Sequence, residues 1–217
     1  MTSSGGLGGA IPDPSVRRLS AYLRHLENLA ASGVKRVSSR QLAEYVKGGD
    51  AQVRRDLALF GQFGRRGVGY DVEDLIQVIR TILGTRAQWN VVVVGAGQLC
   101  QALLRYRGFK ERGFALVGAF DTDPRKIGTQ CGPVTIRHID AMEDIIRKHE
   151  VRLAILTVPA QAAQQTAEKL AAAGIEGIMN FAGAGLSLPP HVHVSQVDLT
   201  AHLEQLSFLV SSTRAGQ

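Results

Sequence analysis

Arginine and glutamine are well suited to hydrogen-bonding phosphates and base edges, and this chain gathers three of them in "AQVRRDL": Gln52, Arg54 and Arg55. Just beyond, "FGQFGRRGVGY" (60–70) sets Arg65 and Arg66 among four glycines: Gly61, Gly64, Gly67 and Gly69. A basic, glycine-rich turn directly after a short amphipathic helix is what a winged DNA-binding domain would carry, its arginines lying against a minor groove. Gly67 and Gly69 permit positive φ and a close approach to a phosphate backbone. A solvated helix face would account for Gln52, Arg54 and Arg55 alone; the turn that follows favours nucleic acid. Tyr70 is expected to pack the base of the wing.

A second chemical signal begins at "VVVVGAGQLC" (91–100). A β-branched run enters a tight turn at Gly95 and Gly97, and Gln98 and Leu99 open a helix. Backbone N–H groups at such a helix start suit a pyrophosphate. The next strand ends in Asp121, 24 residues beyond Gly97, where a carboxylate can bind a ribose 2′-hydroxyl and repel a 2′-phosphate. Cys100 stands where the fingerprint wants a third glycine; a packed thiol is the simpler reading there, a redox role the alternative. "LTVPAQ" and "NFAGAG" then place Thr157, Pro159 and Asn180 at the C-terminal ends of strands, where open α/β sheets bind ligands.

The surrounding pattern supplies elements to hold these groups. Asp13-Pro14 opens a helix with Val16, Leu19, Leu23, Leu26 and Leu29 at helical spacing, closed by Gly33. Ser38 or Ser39 caps a second helix that turns Leu42, Ala43 and Val46 inward. Gly48-Gly49-Asp50 makes the turn and cap into a third, with Val53, Leu57 and Phe60 on its core side. The tight turn between them is a helix–turn–helix. Asp71 caps a connecting helix bearing Val72, Leu75, Ile76, Ile79 and Leu83. Strands at 90–94, 114–120, 153–158 and 177–181, with helices at 98–106 and 162–173, alternate as a doubly wound parallel sheet requires. A last helix at 198–211 aligns Leu199, Leu203, Leu206 and Leu209/Val210, a face that must cover its own sheet or a partner's.

Residues 1–86 hold 13 Lys/Arg against 8 Asp/Glu, and residues 87–217 hold 12 against 11, so the basic excess sits in the N-terminal part. No run of 18 apolar residues suggests a membrane span. The start "MTSSGGLGGA" has neither the basic nor the apolar region of a signal peptide. Two cysteines without CxxC spacing fit a reducing cytoplasm, and the scattered histidines argue against a metal site. The expected organisation is α/β: a flexible tail (1–10), a winged-helix domain (11–86), a Rossmann-like doubly wound domain (87–195), and a C-terminal helix and tail (196–217).

The chain resembles the Rex family of redox-sensing transcriptional repressors. The likeness rests on "AQVRRDL..FGQFGRRGVGY", "VVVVGAGQL", "FDTDPRKIG", "LTVPAQAAQ", "GIEGIMNFA" and "VDLTAHLEQL" in that order. It implies a cytoplasmic homodimer whose C-terminal helices swap between subunits. Such a protein binds a double-stranded DNA operator and releases it when NADH replaces NAD+. It also implies that Gln52, Arg54 and Arg55 lie on the recognition helix, Arg65 and Arg66 in the wing, and Gly95, Gly97 and Asp121 on the dinucleotide. Tyr106 and Asp198 match the tyrosine and cross-subunit aspartate that respond to the nicotinamide, and Leu199, beside Asp198, would reach toward the partner's nicotinamide pocket. Gln98, Cys100, Gly183 and Ala58 depart from the family pattern, which leaves a paralogue with altered ligand response open. An NAD-dependent oxidoreductase with a helical dimerisation domain is the enzyme alternative. It lacks an identifiable proton donor, and the expectation is a regulator without catalysis.

Overall fold

The computed structural model describes residues 13–61 and 69–215, and the chain divides into two compact units between Ala87 and Gln88. In the first unit α1 (Asp13–Ala31), α2 (Ser39–Tyr45), α3 (Asp50–Ala58) and α4 (Val72–Ile82) enclose one core, and β1 (Arg36–Val37) pairs antiparallel with β2 (Tyr70–Asp71). Leu19, Tyr22, Leu26, Leu42, Val53, Leu57, Val72 and Ile79 are all buried there.

Local chemistry explains most of the boundaries. Asp13 already lies inside α1, so the residue that caps this helix falls outside the described part. Gly33, at φ +76°, follows the end of α1. Ser38 caps α2 in a reciprocal box: the Gln41 N–H donates to Ser38 Oγ (3.2 Å) and the Ser38 N–H to Gln41 Oε1 (2.9 Å). Gly49, not Asp50, is the N-cap of α3; Asp50 is the first helical residue, where its carboxylate meets Arg54. Helix α3 stops at Ala58, so Phe60 packs on the core from beyond the helix. Asp71 caps α4 through the Asp74 N–H, and Tyr70 is partly buried against the core. Gly69 has φ +78°, and a Cβ there would lie 2.6 Å from the Val37 carbonyl oxygen. Only glycine lets the chain return to β1 at that point. The expected wing arginines, Arg65 and Arg66, lie outside the described residues.

The second unit is a seven-stranded sheet in the order β5-β6-β4-β3-β7-β8-β9. Its strands are β3 (Trp89–Val94), β4 (Phe114–Asp121), β5 (Gln130–Cys131), β6 (Val134–His138), β7 (Leu153–Leu156), β8 (Gly177–Asn180) and β9 (His193–Gln196). All pairings are parallel except the β5–β6 hairpin. With the hairpin strand β5 set aside, the order is that of a doubly wound dinucleotide-binding sheet. Helices α5 (Gln98–Arg105), α6 (Arg107–Glu111), α7 (Met142–Lys148) and α8 (Ala160–Ala172) pack on it. Val92 and Val94 face the α7–α8 side, and Val91 and Val93 face the α5 side, the period-two pattern of a strand buried on both faces. Strand β7 ends two residues earlier than the sequence suggests, because Val158-Pro159 begins the turn into α8. The unit closes with α9 (Leu199–Ala215).

Candidate functional site

The strand order reverses between β3 and β7, and a crevice opens at their C-terminal ends. Gly95 leaves β3 with φ +99°; a Cβ there would lie 2.6 Å from the Thr157 carbonyl oxygen, so glycine alone lets the two strand ends approach this closely. The Thr157 hydroxyl donates to the Gly95 carbonyl (2.7 Å) and fixes the turn from the β7 side. Gly97 then caps α5 without a side-chain hydrogen bond, and space beside its Cα is open. The first N–H groups of α5 thus start beside an empty approach.

A cavity of about 540 Å³ fills the crevice; Gly95, Gly97, Asp121, Thr157 and Pro159 line it, with Lys126 added. Asp121 Oδ2 accepts from the Ala96 N–H (2.7 Å) and Lys126 Nζ (2.9 Å), and Oδ1 accepts from the Asp123 N–H (2.8 Å). Burial alone would push this carboxyl up, but Lys126 and the two backbone donors outweigh it and hold the group below the usual carboxylate range. It is an ionised acceptor at the cavity wall. The open glycine turn, the fixed carboxylate and the volume suit the adenosine diphosphate half of a dinucleotide.

Gln98 and Leu99 sit exposed on the first turn of α5, outside the cavity lining. Asn180 is fully buried instead of facing the crevice. Its Nδ2 donates to the Ala184 carbonyl (2.8 Å) and Gln196 Oε1 (2.8 Å), and its Oδ1 accepts from the Ala182 N–H (2.9 Å). Its observed work is to shape the loop after β8 and tie it to β9. Tyr106, at the break between α5 and α6, is 62% exposed and meets Phe109 edge-on at 5.3 Å. Asp198 caps α9, accepting from the Thr200 and Ala201 N–H groups, and Leu199 is exposed. Neither these two nor Tyr106 lines the cavity of a single chain. Cys100 is packed among Val91, Val93 and Ala119, and burial pushes its thiol up to about 12, which makes it inert at neutral pH. The simpler of the two sequence readings describes it.

In the first unit, α3 follows α2 across a tight turn and carries Arg54 and Arg55 on its exposed side. Arg54 donates to Asp50 (2.7 Å) and Ser39 Oγ (3.3 Å), and Arg55 donates to Gln52 Oε1 (2.8 Å). Sequence reasoning missed Asp56, which is 1% exposed. It takes a bidentate pair from Arg18 (2.6 and 2.7 Å) and single bonds from Tyr22 (2.9 Å), Ser15 (3.2 Å) and Gln52 (2.9 Å). Its signal was present: an acid between Val53 and Leu57 on a core-facing stripe has to be paired. Lys126 was missed too, although it lies five residues past Asp121.

Comparison with known proteins adds to this geometry. Residues 86–184 match a family model described as a CoA binding domain, and residues 10–58 one described as a putative DNA-binding protein N-terminus. The redox-sensing transcriptional repressor Rex of Carboxydothermus hydrogenoformans is 49% identical over 201 residues, 93% of this chain and 97% of its own. Rex of Desulfitobacterium hafniense is 45% identical over 94% of this chain and 98% of its own. Among solved structures, the Rex-family repressor RSP in complex with β-NAD+ and operator DNA matches with a TM-score of 0.89 at 37% identity, covering 95% of each chain. RSP with β-NADH matches at 0.87 and 35%, covering 95% of this chain and 97% of its own.

Proposed function

The chain belongs to the Rex family of redox-sensing transcriptional repressors, and from that premise we propose how its two units divide the work. It is a DNA-binding repressor that senses the NADH/NAD+ ratio and releases its operator when NADH is bound. The observation that carries the assignment of the sensor is the ionised Asp121 at the wall of a glycine-gated crevice, in the same chain as a basic helix–turn–helix.

In this reading Arg54 and Arg55, with Arg65 and Arg66, bind the operator. The N–H groups after Gly97 hold the pyrophosphate, Gln98 and Leu99 flank it, and Thr157 and Pro159 line the way to the nicotinamide. Asp121 takes the adenosine ribose and turns away a 2′-phosphate. Asn180 acts at this pocket by holding the loop after β8 in shape.

The protein works as a homodimer in the cytoplasm, where operator and nucleotide pool meet. Helix α9 supports the dimer: Leu199, Leu203, Leu206, Phe208, Leu209 and Val210 are all more than half exposed. Each such side chain gains roughly 1.5–3 kcal/mol on full burial, so a partner is strongly favoured. Phe208 lies on the opposite side of the helix from Leu199, Leu203 and Val210, which suits insertion into a partner better than rest on one flat surface.

Oxidised nicotinamide carries a positive charge that the reduced ring lacks. In this reading Tyr106 and the partner subunit's Asp198 register that difference and favour one of two dimer geometries. Only one geometry sets the two recognition helices at operator half-site spacing. Strong switching needs several kcal/mol of discrimination between them. No turnover is part of this role. Fluorescence anisotropy on a palindromic operator from the protein's own promoter tests it: NADH should release the DNA and NAD+ should not. DNA binding indifferent to both nucleotides would overturn it.

A further inference from the structure

The buried carboxylate of Asp56 accepts hydrogen bonds and donates none, so any amide facing it must present its NH2 group. Gln52 does so: Nε2 donates to Asp56 Oδ1 at 2.9 Å. Its oxygen is thereby turned outward, where it accepts from Arg55 Nη2 at 2.8 Å. Both ends of the Gln52 amide are engaged, one by the core and one by an exposed guanidinium. Bidentate reading of adenine would have to use the second N–H and the second lone pair, in an amide plane already set by Asp56 and Arg55. Arg55, with one Nη held by Gln52, still has N–H groups to offer a guanine edge.

Arg54 is held differently. Its partners, Asp50 and Ser39, belong to the surface, and its side chain is 54% exposed. Among the described residues, no buried side chain bonds to either of them. The tether of Arg55 runs through Gln52 to Asp56, and Asp56 is fixed by Arg18, Tyr22 and Ser15 on α1. The chain of contacts is continuous from the core to one of the two outward arginines.

We propose that Gln52 is a positioning residue that reads no base itself and instead links buried Asp56 to Arg55, fixing the direction in which Arg55 leaves α3 and so the base pair it recognises. Asp56 is the anchor of this linkage. The inference rests on the reading of α3 as the operator-binding helix. A side chain oriented before binding loses less freedom on binding than one that must be immobilised.

The test uses the full-length protein, its own palindromic operator, and operators changed one base pair at a time, read by fluorescence anisotropy. Arg55→Ala first identifies the base pair that Arg55 reads, as the position where discrimination disappears. Gln52→Ala, at a half-buried site that leaves every Arg18, Tyr22 and Ser15 bond to Asp56 in place, should lose discrimination at that same base pair. Its affinity for the intact operator should fall roughly three- to tenfold, with NADH affinity unchanged. The double variant should bind no more weakly than Arg55→Ala. Lost discrimination at a base pair that Arg55→Ala leaves intact would make Gln52 a reader in its own right and overturn the proposal. Unaltered discrimination in Gln52→Ala, or additive losses in the double variant, would overturn it equally. If the wild-type protein shows no preference for the operator, the reading of α3 fails first and the proposal falls with it.

Discussion

Asp56 in the first unit and Asp121 in the second are both nearly out of water, at 1% and 9% exposed, and both meet a cation. The donors around them differ. Asp56 is closed in by four side chains from two helices, including a bidentate guanidinium. Asp121 takes two backbone N–H groups and one lysine, and it lines a cavity. A carboxylate surrounded by side chains holds elements together. A carboxylate fixed by one lysine and the backbone N–H groups of two turns, the glycine turn after β3 and its own, keeps lone-pair capacity for a ligand. The same residue type is thus closed in by side chains in one unit and left open to a cavity in the other.

The largest expected effect separates these roles. Asp56→Ala strips Arg18 and Tyr22 of their partner and should destabilise the first unit by about 3 kcal/mol, the low end for a broken buried pair, because Arg18 is 31% exposed and can turn to water. Denaturant unfolding would measure it, with NADH binding by the second unit persisting. Equal stability losses for Asp56→Ala and Asp121→Ala would erase the distinction between the two sites. Asp121→Ala should instead cost about 1.5–3 kcal/mol of NADH affinity, the worth of a hydrogen bond to a charged group, at a smaller cost in stability. It also releases Lys126 beside the proposed ribose site, so preference for NADH over NADPH should narrow. Calorimetric titration with both nucleotides would show it.

Acid sharpens the comparison further. Both carboxyls lie below the usual range when folded: burial raises each, and Arg18 or Lys126 with the other donors more than offsets it. Each therefore adds stability that is present above the unfolded carboxyl pKa near ~3.9 and is lost as pH falls through the folded value. The acid limb of a stability profile should flatten in Asp56→Ala and, to a lesser degree, in Asp121→Ala. The smallest effect is at Gly108. A Cβ there would come within 2.5 Å of the Tyr106 ring, which is exposed and free to swing aside. Gly108→Ala should leave melting within about 0.5 kcal/mol of wild type, as surface changes usually do. It should still blunt release of DNA by NADH; an unchanged NADH response would detach Tyr106 from the switch.

Much of the frame was legible because it rests on short-range patterns. The β-branched run at 91–94, the glycine turn and Asp121 specify a strand, a turn and a second strand by local sterics alone. The helix–turn–helix follows from Ser38, Gly49 and the spacing of Leu42, Val53 and Leu57. What escaped depends on distant partners. Nothing near Asp56 announces that Arg18 and Tyr22, more than thirty residues away, will close over it. Asn180 looked like a ligand contact because strand ends usually are, but Gln196 and the Ala184 carbonyl claim its amide first. Strands β5, β6 and β9 are short or exposed, with little hydrophobic alternation to reveal them.

Helix α9 carries a consequence for the cell. In the proposed homodimer, two chains joined through this helix, apolar on opposite sides, could not part without returning six large apolar side chains per chain to water. Subunit exchange in such a dimer is expected to be slow compared with synthesis. Variant and wild-type chains made together would form mixed pairs at birth, each carrying one intact recognition helix. Since a palindromic operator asks for two, a defective allele would silence functional copies made beside it.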